Sequence, residues 1–241
     1  MRLSRLSGAL VGALAAACAL TFSAPALAAC GASSYSYAGL QSARAVYGVS
    51  ATIASLAAPQ VKQGHVAGWV GVSSGNGQAW IQTGVSAFPG DSASHVYVEI
   101  AAPNRDPQYL TVRSALPTGQ QHRFAVLELA HRPGWWRAWL DGRPVTEPIF
   151  LVGSHGHWRA QATGESWNDN SGACNLYRYS FGQVELAAAP GGMWRTISRA
   201  SRFQDSGYRL AWHSRSDFVA ASVVRADDRD IATASPARSS P

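Results

Sequence analysis

Short hydrophobic segments rich in Val, Ile, Trp, Tyr and Phe recur along most of the chain after residue 64. Segments of this composition are typical of β-strands. Turn-forming residues separate these segments, and Pro133-Gly134 and Asp141-Gly142 predict tight turns on both sides of one of them. The pattern predicts strands over residues 65–72, 79–87, 94–101, 109–114, 122–130, 135–140, 145–152, 158–164 and 176–187. Short strands with such regular turns predict an all-β fold, an antiparallel sandwich of two sheets.

The two ends of the chain depart from this pattern. Residues 1–28 combine Arg2 and Arg5 with an uncharged apolar run and then small residues, which predicts a signal peptide. The apolar run is shorter than a membrane span, so we expect a secreted, extracellular protein with no integral membrane segment. Residues 225–241 are charged and then rich in Ser, Pro and Ala, and we expect this tail to be disordered.

Three regions lie between these ends. We expect residues 65–188 to form the sandwich core, and residues 189–224 to form a C-terminal extension that packs on it, because the extension still carries large aromatic residues. Residues 29–64 are expected to be a separate N-terminal segment. Within it, Ala, Leu and Val recur near helical spacing over residues 39–56, which favours a helix, although serines and β-branched residues oppose one.

Charge and ligand-forming residues bear on the partners of the protein. The chain has 20 Lys and Arg residues against 14 Asp and Glu residues, but no basic run, so a solvated basic surface is favoured over a nucleic-acid site. His155-Gly156-His157 offers two metal ligands, yet no third ligand follows at a spacing typical of a metal site. We therefore expect no nucleic acid, no metal and no other cofactor.

Two cysteines remain once the signal peptide, which contains Cys18, is removed. In an oxidising compartment, Cys30 and Cys174 predict a disulfide that ties the N-terminus to the domain. A competing interpretation is open, because residues 27–30 resemble the lipobox of bacterial lipoproteins, in which the cysteine is lipidated and anchors the protein at the cell surface. Lipidation would leave Cys174 without this partner, so we favour the disulfide.

Carboxylates and tryptophans are the candidate chemical groups. Few carboxylates are present, and four of them fall in or beside strand patterns: Glu99, Glu128, Glu165 and Glu185. Burial on a half-buried strand raises the pKa of a carboxyl group, which suits general acid–base catalysis, although an exposed glutamate is the simpler interpretation for each one alone. The nine tryptophans allow a further use, because indole rings outside the core can line a groove and hold sugars or peptide side chains.

Three groups of segments, in this order, resemble the glutamic peptidases, or eqolisins. Residues 69–72 (WVGV) and 79–85 (AWIQTGV) are similar to the family's WVGI and ILQTGV. Residues 97–100 (YVEI), followed by Pro103, are similar to WYEW and its proline. Residues 165–167 (ESW) and 181–186 (FGQVEL) are similar to EDF and FGTVTF. The ordered set, which covers residues 65–187, carries the resemblance rather than any one segment.

The resemblance implies a concanavalin A-like, jelly-roll sandwich and a catalytic pair, Gln82 and Glu165. It implies a secreted acid endopeptidase that acts on a polypeptide substrate without a cofactor, and we expect a monomer. Alternation supports Gln82, which shares a strand face with Trp80 and Gly84. By position, the substrate-binding residues would be Trp69, Trp80, Tyr97, Glu99 and Trp167. The alternative is a non-catalytic, lectin-like sandwich that binds carbohydrate or peptide, and a glycosidase is less favoured because no run of paired carboxylates of the retaining type is present.

Overall fold

The computed structural model describes residues 35–223, and these residues form sixteen β-strands and no helix. In chain order the strands are β1 (Tyr35–Ala45), β2 (Gly48–Ser55), β3 (His65–Ser73), β4 (Trp80–Ala87), β5 (Ser94–Ala101), β6 (Gln108–Leu116), β7 (His122–Glu128), β8 (Trp135–Leu140), β9 (Arg143–Pro144), β10 (Ile149–Phe150), β11 (Arg159–Trp167), β12 (Arg178–Ala189), β13 (Gly192–Thr196), β14 (Ala200–Gln204), β15 (Tyr208–Trp212) and β16 (Phe218–Ser222). This part of the chain therefore has no helical segment long and apolar enough to cross a membrane.

The strands form two antiparallel sheets that pack against each other, which confirms the predicted all-β sandwich. The first sheet has the order β14-β1-β11-β3-β4-β5-β6. The second has the order β10-β8-β7-β2-β12-β16-β15, and β13 and β9 pair with β12 and β8. Between the sheets lies a core whose largest fully buried apolar side chains include Trp136, Tyr179, Phe124, Phe181 and Phe218. Burial of this apolar surface is the main source of the sandwich's stability.

The helix favoured over residues 39–56 is wrong, because these residues contribute to β1 and β2. β1 lies between β14 and β11 in the first sheet, and β2 lies between β7 and β12 in the second. Seven of the eight residues of β2 are buried. The β2 sequence, GVSATIAS, does alternate, with Val49, Ala51 and Ile53 on one face and Ser50 and Thr52 on the other. Pairing with β7 and β12 therefore prevails over the helical spacing of the small apolar residues.

The sandwich extends beyond residues 65–188 at both ends. β1 and β2 come from the segment that the sequence predicts to be separate, and β13 to β16 come from the C-terminal extension. There, β14 pairs with β1, and β16 pairs with β12. The strand predicted over residues 145–152 is reduced to β10, because Pro144 and Pro148 lack the N–H group that a continuous ladder needs.

Several expectations fall on residues outside 35–223. They are the signal peptide over residues 1–28, the disordered tail over residues 225–241, and both interpretations of Cys30. Cys174 itself lies in the loop between β11 and β12. The Cys30–Cys174 disulfide, the alternative lipid anchor and the secreted location therefore stay predictions.

The two faces of the first sheet serve different purposes. Alternate residues of a strand point to opposite faces. Val70 and Ile81 face the core between the sheets, whereas a separate apolar cluster of Ala67, Trp69 and Tyr97 lies on the other, outer face. The outer face carries the candidate functional site.

Candidate active site

The outer face of the first sheet carries a groove with a volume of about 630 Å³. Strand register places Gln82 of β4 opposite both Glu99 of β5 and Gly71 of β3. The same sheet places Glu165 of β11 opposite Ala67 of β3, four residues from Gly71 and on the same face. An amide and two carboxyl groups from three strands therefore line one groove.

Glu165 has both carboxylate oxygens in close polar contacts. Trp69 Nε1 donates a hydrogen bond to Oε2 at 2.9 Å, and His65 Nε2 lies 2.8 Å from Oε1. The residue is only 5% exposed, so these two partners take the place of water around a charged group. The two contacts fix the orientation of the carboxyl group within the groove, as a general base requires.

Glu99 lies in a different environment. Gln82 Nε2 donates to its Oε2 at 2.8 Å. Burial, followed by the negative charge of Glu165, raises the pKa of Glu99 to about 7, against smaller opposing effects of His65 and of the Gln82 hydrogen bond. Below this pH, Glu99 is a neutral acid across the groove from Glu165. A carboxyl group with a raised pKa that shares a groove with a second, hydrogen-bonded carboxyl group is an arrangement suited to acid–base chemistry.

Gln82 is held by its amide nitrogen. Nε2 donates to Glu99 and, at 3.1 Å, to the hydroxyl of Tyr97, and no hydrogen bond in the described part of the chain joins it directly to Glu165. Burial, with the charges of Glu165 and Glu99, raises the pKa of Tyr97, so this phenol stays neutral. The lack of a side chain at Gly71 makes room for this arrangement, since a Cβ there would lie 2.7 Å from Gln82 Cβ.

The structure brings the predicted site residues into one region of the outer face. The groove is lined by Trp69, Trp80, Gln82, Glu99 and Glu165. Tyr97 lies beneath it, where its hydroxyl contacts Gln82 and its ring stacks on Tyr109. Trp167 lies at one end, with its ring against His65 and Tyr35.

Other residues of the groove are not among those predicted from the sequence. Tyr35, Tyr37 and Gln41 come from β1, which the sequence places outside the expected core. His65 carries a signal, because it precedes Trp69 by four residues and therefore shares its strand face. The contact between His65 and Glu165 cannot be predicted from the sequence, because the pairing of β3 with β11 brings together residues that are 100 positions apart.

The remaining candidate groups have partners elsewhere in the structure. Glu128 is fully buried, accepts a hydrogen bond from the Gly134 N–H, and lies 3.0 Å from His155 Nδ1. Glu185 forms an ion pair with Arg123. Residues 35–223 contain no group of three or more His, Cys, Asp or Glu side chains placed to hold a metal ion. These two glutamates therefore act as structural partners, outside the groove.

Comparisons with known proteins identify the fold. No protein-family model matches the sequence, and no curated protein is similar enough in sequence to match. Among solved structures, scytalidoglutamic peptidase with a peptide-based transition-state analog matches with a TM-score of 0.57 and 16% identity, over 78% of this chain and 98% of that one. SCP-B, a member of the eqolisin family in complex with the tripeptide Ala-Ile-His, matches with a TM-score of 0.54 and 16% identity, over 78% and 98% of the two chains. This chain has the glutamic-peptidase fold. The sandwich implied by the sequence resemblance is thereby confirmed, at the level of fold.

Proposed function

We propose that this chain is an acid endopeptidase of the glutamic-peptidase type, with Gln82 and Glu165 as its catalytic pair. One observation carries the proposal. A carboxylate held by two partners, an amide, and a second carboxyl group with a raised pKa line one groove on a glutamic-peptidase fold. Together they supply a general base, a donor for an oxyanion and a neutral acid.

Glu165 acts as the general base in this proposal. It removes a proton from a water molecule in the groove while the water oxygen bonds to the carbonyl carbon of the substrate, whose oxygen becomes an oxyanion. Trp69 donates to Oε2 throughout, so the carboxyl group keeps its orientation while it carries the proton. Glu165 then passes the proton to the leaving nitrogen. The C–N bond breaks, and a carboxylic acid and an amine are released.

Gln82 and Glu99 together stabilise the oxyanion. The two hydrogens of Gln82 Nε2 point to Glu99 Oε2 and to the Tyr97 hydroxyl in the resting site. A protonated Glu99 is a poorer acceptor and is itself a donor, so one amide hydrogen becomes free for the oxyanion. An ionised Glu99 retains that hydrogen. The charge of Glu99 therefore couples the oxyanion site to pH and favours acid to neutral conditions.

The groove walls suit a polypeptide substrate. Aromatic side chains line it, among them Tyr35, Tyr37, Trp80 and Phe203. Such rings bury peptide side chains without strong directional demands. Gln41 and Gln161 pair across β1 and β11 and also line the groove, where their amides can bond the backbone of an extended peptide.

Digestion of a denatured protein by the full chain, from about pH 3 to about pH 8, tests the proposal. We expect wild type to cleave internal peptide bonds and Glu165→Gln to lose this activity, because the amide has nearly the same shape but cannot take up the proton. Glu147→Gln is the matched control, since the Glu147 side chain is 94% exposed and lies outside the groove. Equal cleavage by all three proteins, or none by wild type at any pH, contradicts the proposal.

A second candidate function rests on the same aromatic walls. Tyrosine and tryptophan rings also stack on sugars, so a lectin-like groove that binds carbohydrate or peptide without cleaving it is the alternative. Such a groove has no need of a general base. Ligand binding that is unchanged in Glu165→Gln, together with no cleavage by wild type, would favour this function.

A further inference from the structure

His65 is built into the site, yet it has no part in the steps above. Its Nε2 lies 2.8 Å from Glu165 Oε1. Three aromatic rings surround the imidazole, with the centroids of Trp167, Phe88 and Tyr35 at 5.4, 5.9 and 6.3 Å from its own. Tilted and edge-on ring contacts of this kind favour particular orientations. The imidazole is therefore held against one oxygen of the general base.

The two partners of Glu165 differ in what they can do. Trp69 Nε1 carries a hydrogen that it does not release, so it only donates. An imidazole nitrogen donates or accepts according to the tautomer, and the ring gains a positive charge within the physiological pH range. Of the two partners of Glu165, only His65 can therefore place a positive charge beside the carboxyl group.

We propose that His65 is a positioning residue for Glu165, which orients this carboxyl group and stabilises it both before and after it takes up the proton from water. The inference rests on the proposed function and adds a residue outside the glutamine–glutamate pair. While Glu165 is ionised, the His65 N–H donates to Oε1. When the proton from water occupies another lone pair of the carboxyl group, the same N–H keeps its bond to Oε1. The proton still passes from water to Glu165 and then to the leaving nitrogen.

The same contact influences the acid limit of activity. The titratable groups that act on the imidazole are Glu165 of β11, Glu99 of β5 and Tyr35 of β1. A positive charge beside a carboxyl group favours the ionised form of that group, and the imidazole can carry such a charge 2.8 Å from Oε1. Removal of the imidazole should therefore move the acid limit of activity to a higher pH.

His65→Phe keeps a ring among the aromatic side chains but removes the N–H. We expect kcat to fall about 10- to 100-fold, the effect of one lost hydrogen bond to a charged group, with KM nearly unchanged. We also expect the acid limb of the pH profile to move to higher pH. His65→Gln should recover part of kcat, because an amide can donate or accept at the same oxygen.

His95→Phe is the matched control. The side chains of His65 and His95 are equally exposed, at 22%, and each pairs with a carboxylate, in the case of His95 that of Asp91 at 3.0 Å. His95 does not line the groove. We expect His95→Phe to retain the wild-type kcat and the wild-type pH profile.

The outcomes separate this inference from the proposed function. If wild type cleaves and a folded His65→Phe matches it in kcat and in its acid limb, the positioning role is wrong while the proposed function stands. Equal losses in His65→Phe and His95→Phe, with an unmoved pH profile, also overturn the role. A wild type that cleaves nothing overturns both. If His65→Phe does not fold, His65→Gln serves as the test, because an amide stays uncharged in acid. An acid limb of its pH profile that coincides with that of wild type would then refute the positioning role.

Discussion

Glu99→Gln should stabilise the protein, and it should do so only where Glu99 would be ionised. Burial and the charge of Glu165 raise the pKa of Glu99 to about 7, from 4.5 for an ordinary glutamate. The folded protein therefore holds this proton more tightly than the unfolded chain. The stability that the group contributes is fully present below the lower of these values and is lost as the pH rises to the higher one.

The magnitude follows from the size of the shift. A difference of about 2.5 pH units, at about 1.4 kcal/mol per unit, gives about 3 kcal/mol. Because Glu99 is partly exposed, screening by solvent reduces this to about 2 kcal/mol. The amide of the variant does not titrate, and its oxygen can still accept the hydrogen bond from Gln82. The free energy of unfolding of Glu99→Gln, relative to wild type, should therefore increase by about 2 kcal/mol between about pH 4 and about pH 8.

Urea unfolding at a series of pH values, followed by tryptophan fluorescence, measures this difference. Titratable groups that do not interact with Glu99 cancel when the two proteins are subtracted. Glu147→Gln, at a side chain that is 94% exposed, should give a difference that does not change with pH. A difference between Glu99→Gln and wild type that stays constant or shrinks as the pH rises would refute the reasoning, because ionised Glu99 would then not be disfavoured by folding.

Three further predictions concern the groove. Initial rates of peptide cleavage by wild type should fall as the pH rises through about 7, where Glu99 ionises. Glu99→Gln should lack this decrease at alkaline pH. An identical decrease in both proteins would contradict the coupling of Glu99 to Gln82. Trp69→Phe keeps a ring but removes the N–H that binds Glu165 Oε2, so steady-state kinetics should show kcat lower by about 10-fold or more, and a wild-type kcat would argue against this contact. Gly71→Ala places a Cβ 2.7 Å from Gln82 Cβ, so urea unfolding should show a free energy of unfolding lower by about 1–3 kcal/mol, and the activity should also be lower. Gly75→Ala, whose Cβ meets nothing within 4 Å, should change neither quantity.

Segments rich in β-branched and aromatic residues, bounded by turn residues, predict most of the strands. The predicted strands over residues 94–101 and 135–140 coincide with β5 (Ser94–Ala101) and β8 (Trp135–Leu140). β2 escapes prediction although Ser50 and Thr52 alternate with Val49, Ala51 and Ile53, because its small residues also fit a helical spacing. Only the pairing of β2 with β7 and β12 decides between the two structures, and that pairing joins segments far apart in sequence.

The site divides in the same way. Gln82 and Glu165 come from the resemblance, and alternation places Gln82 on the face of Trp80. The contacts that give these residues their chemistry come from strand register instead. β4 and β5 bring Gln82 opposite Glu99, and β3 and β11 bring His65 to Glu165. Register between strands far apart in sequence depends on the packing of the whole sheet. The burial that raises the pKa of Glu99 is therefore foreseeable from its strand position, whereas the added effect of the Glu165 charge is not.

The most direct test of the account compares kcat/KM for wild type and Glu165→Gln on one peptide taken from the digest, at about pH 5, with both proteins shown to be folded. The account predicts a decrease of about 10²- to 10⁴-fold, the contribution of a general base, while Glu147→Gln keeps the wild-type value. Equal kcat/KM values for wild type and Glu165→Gln would contradict it.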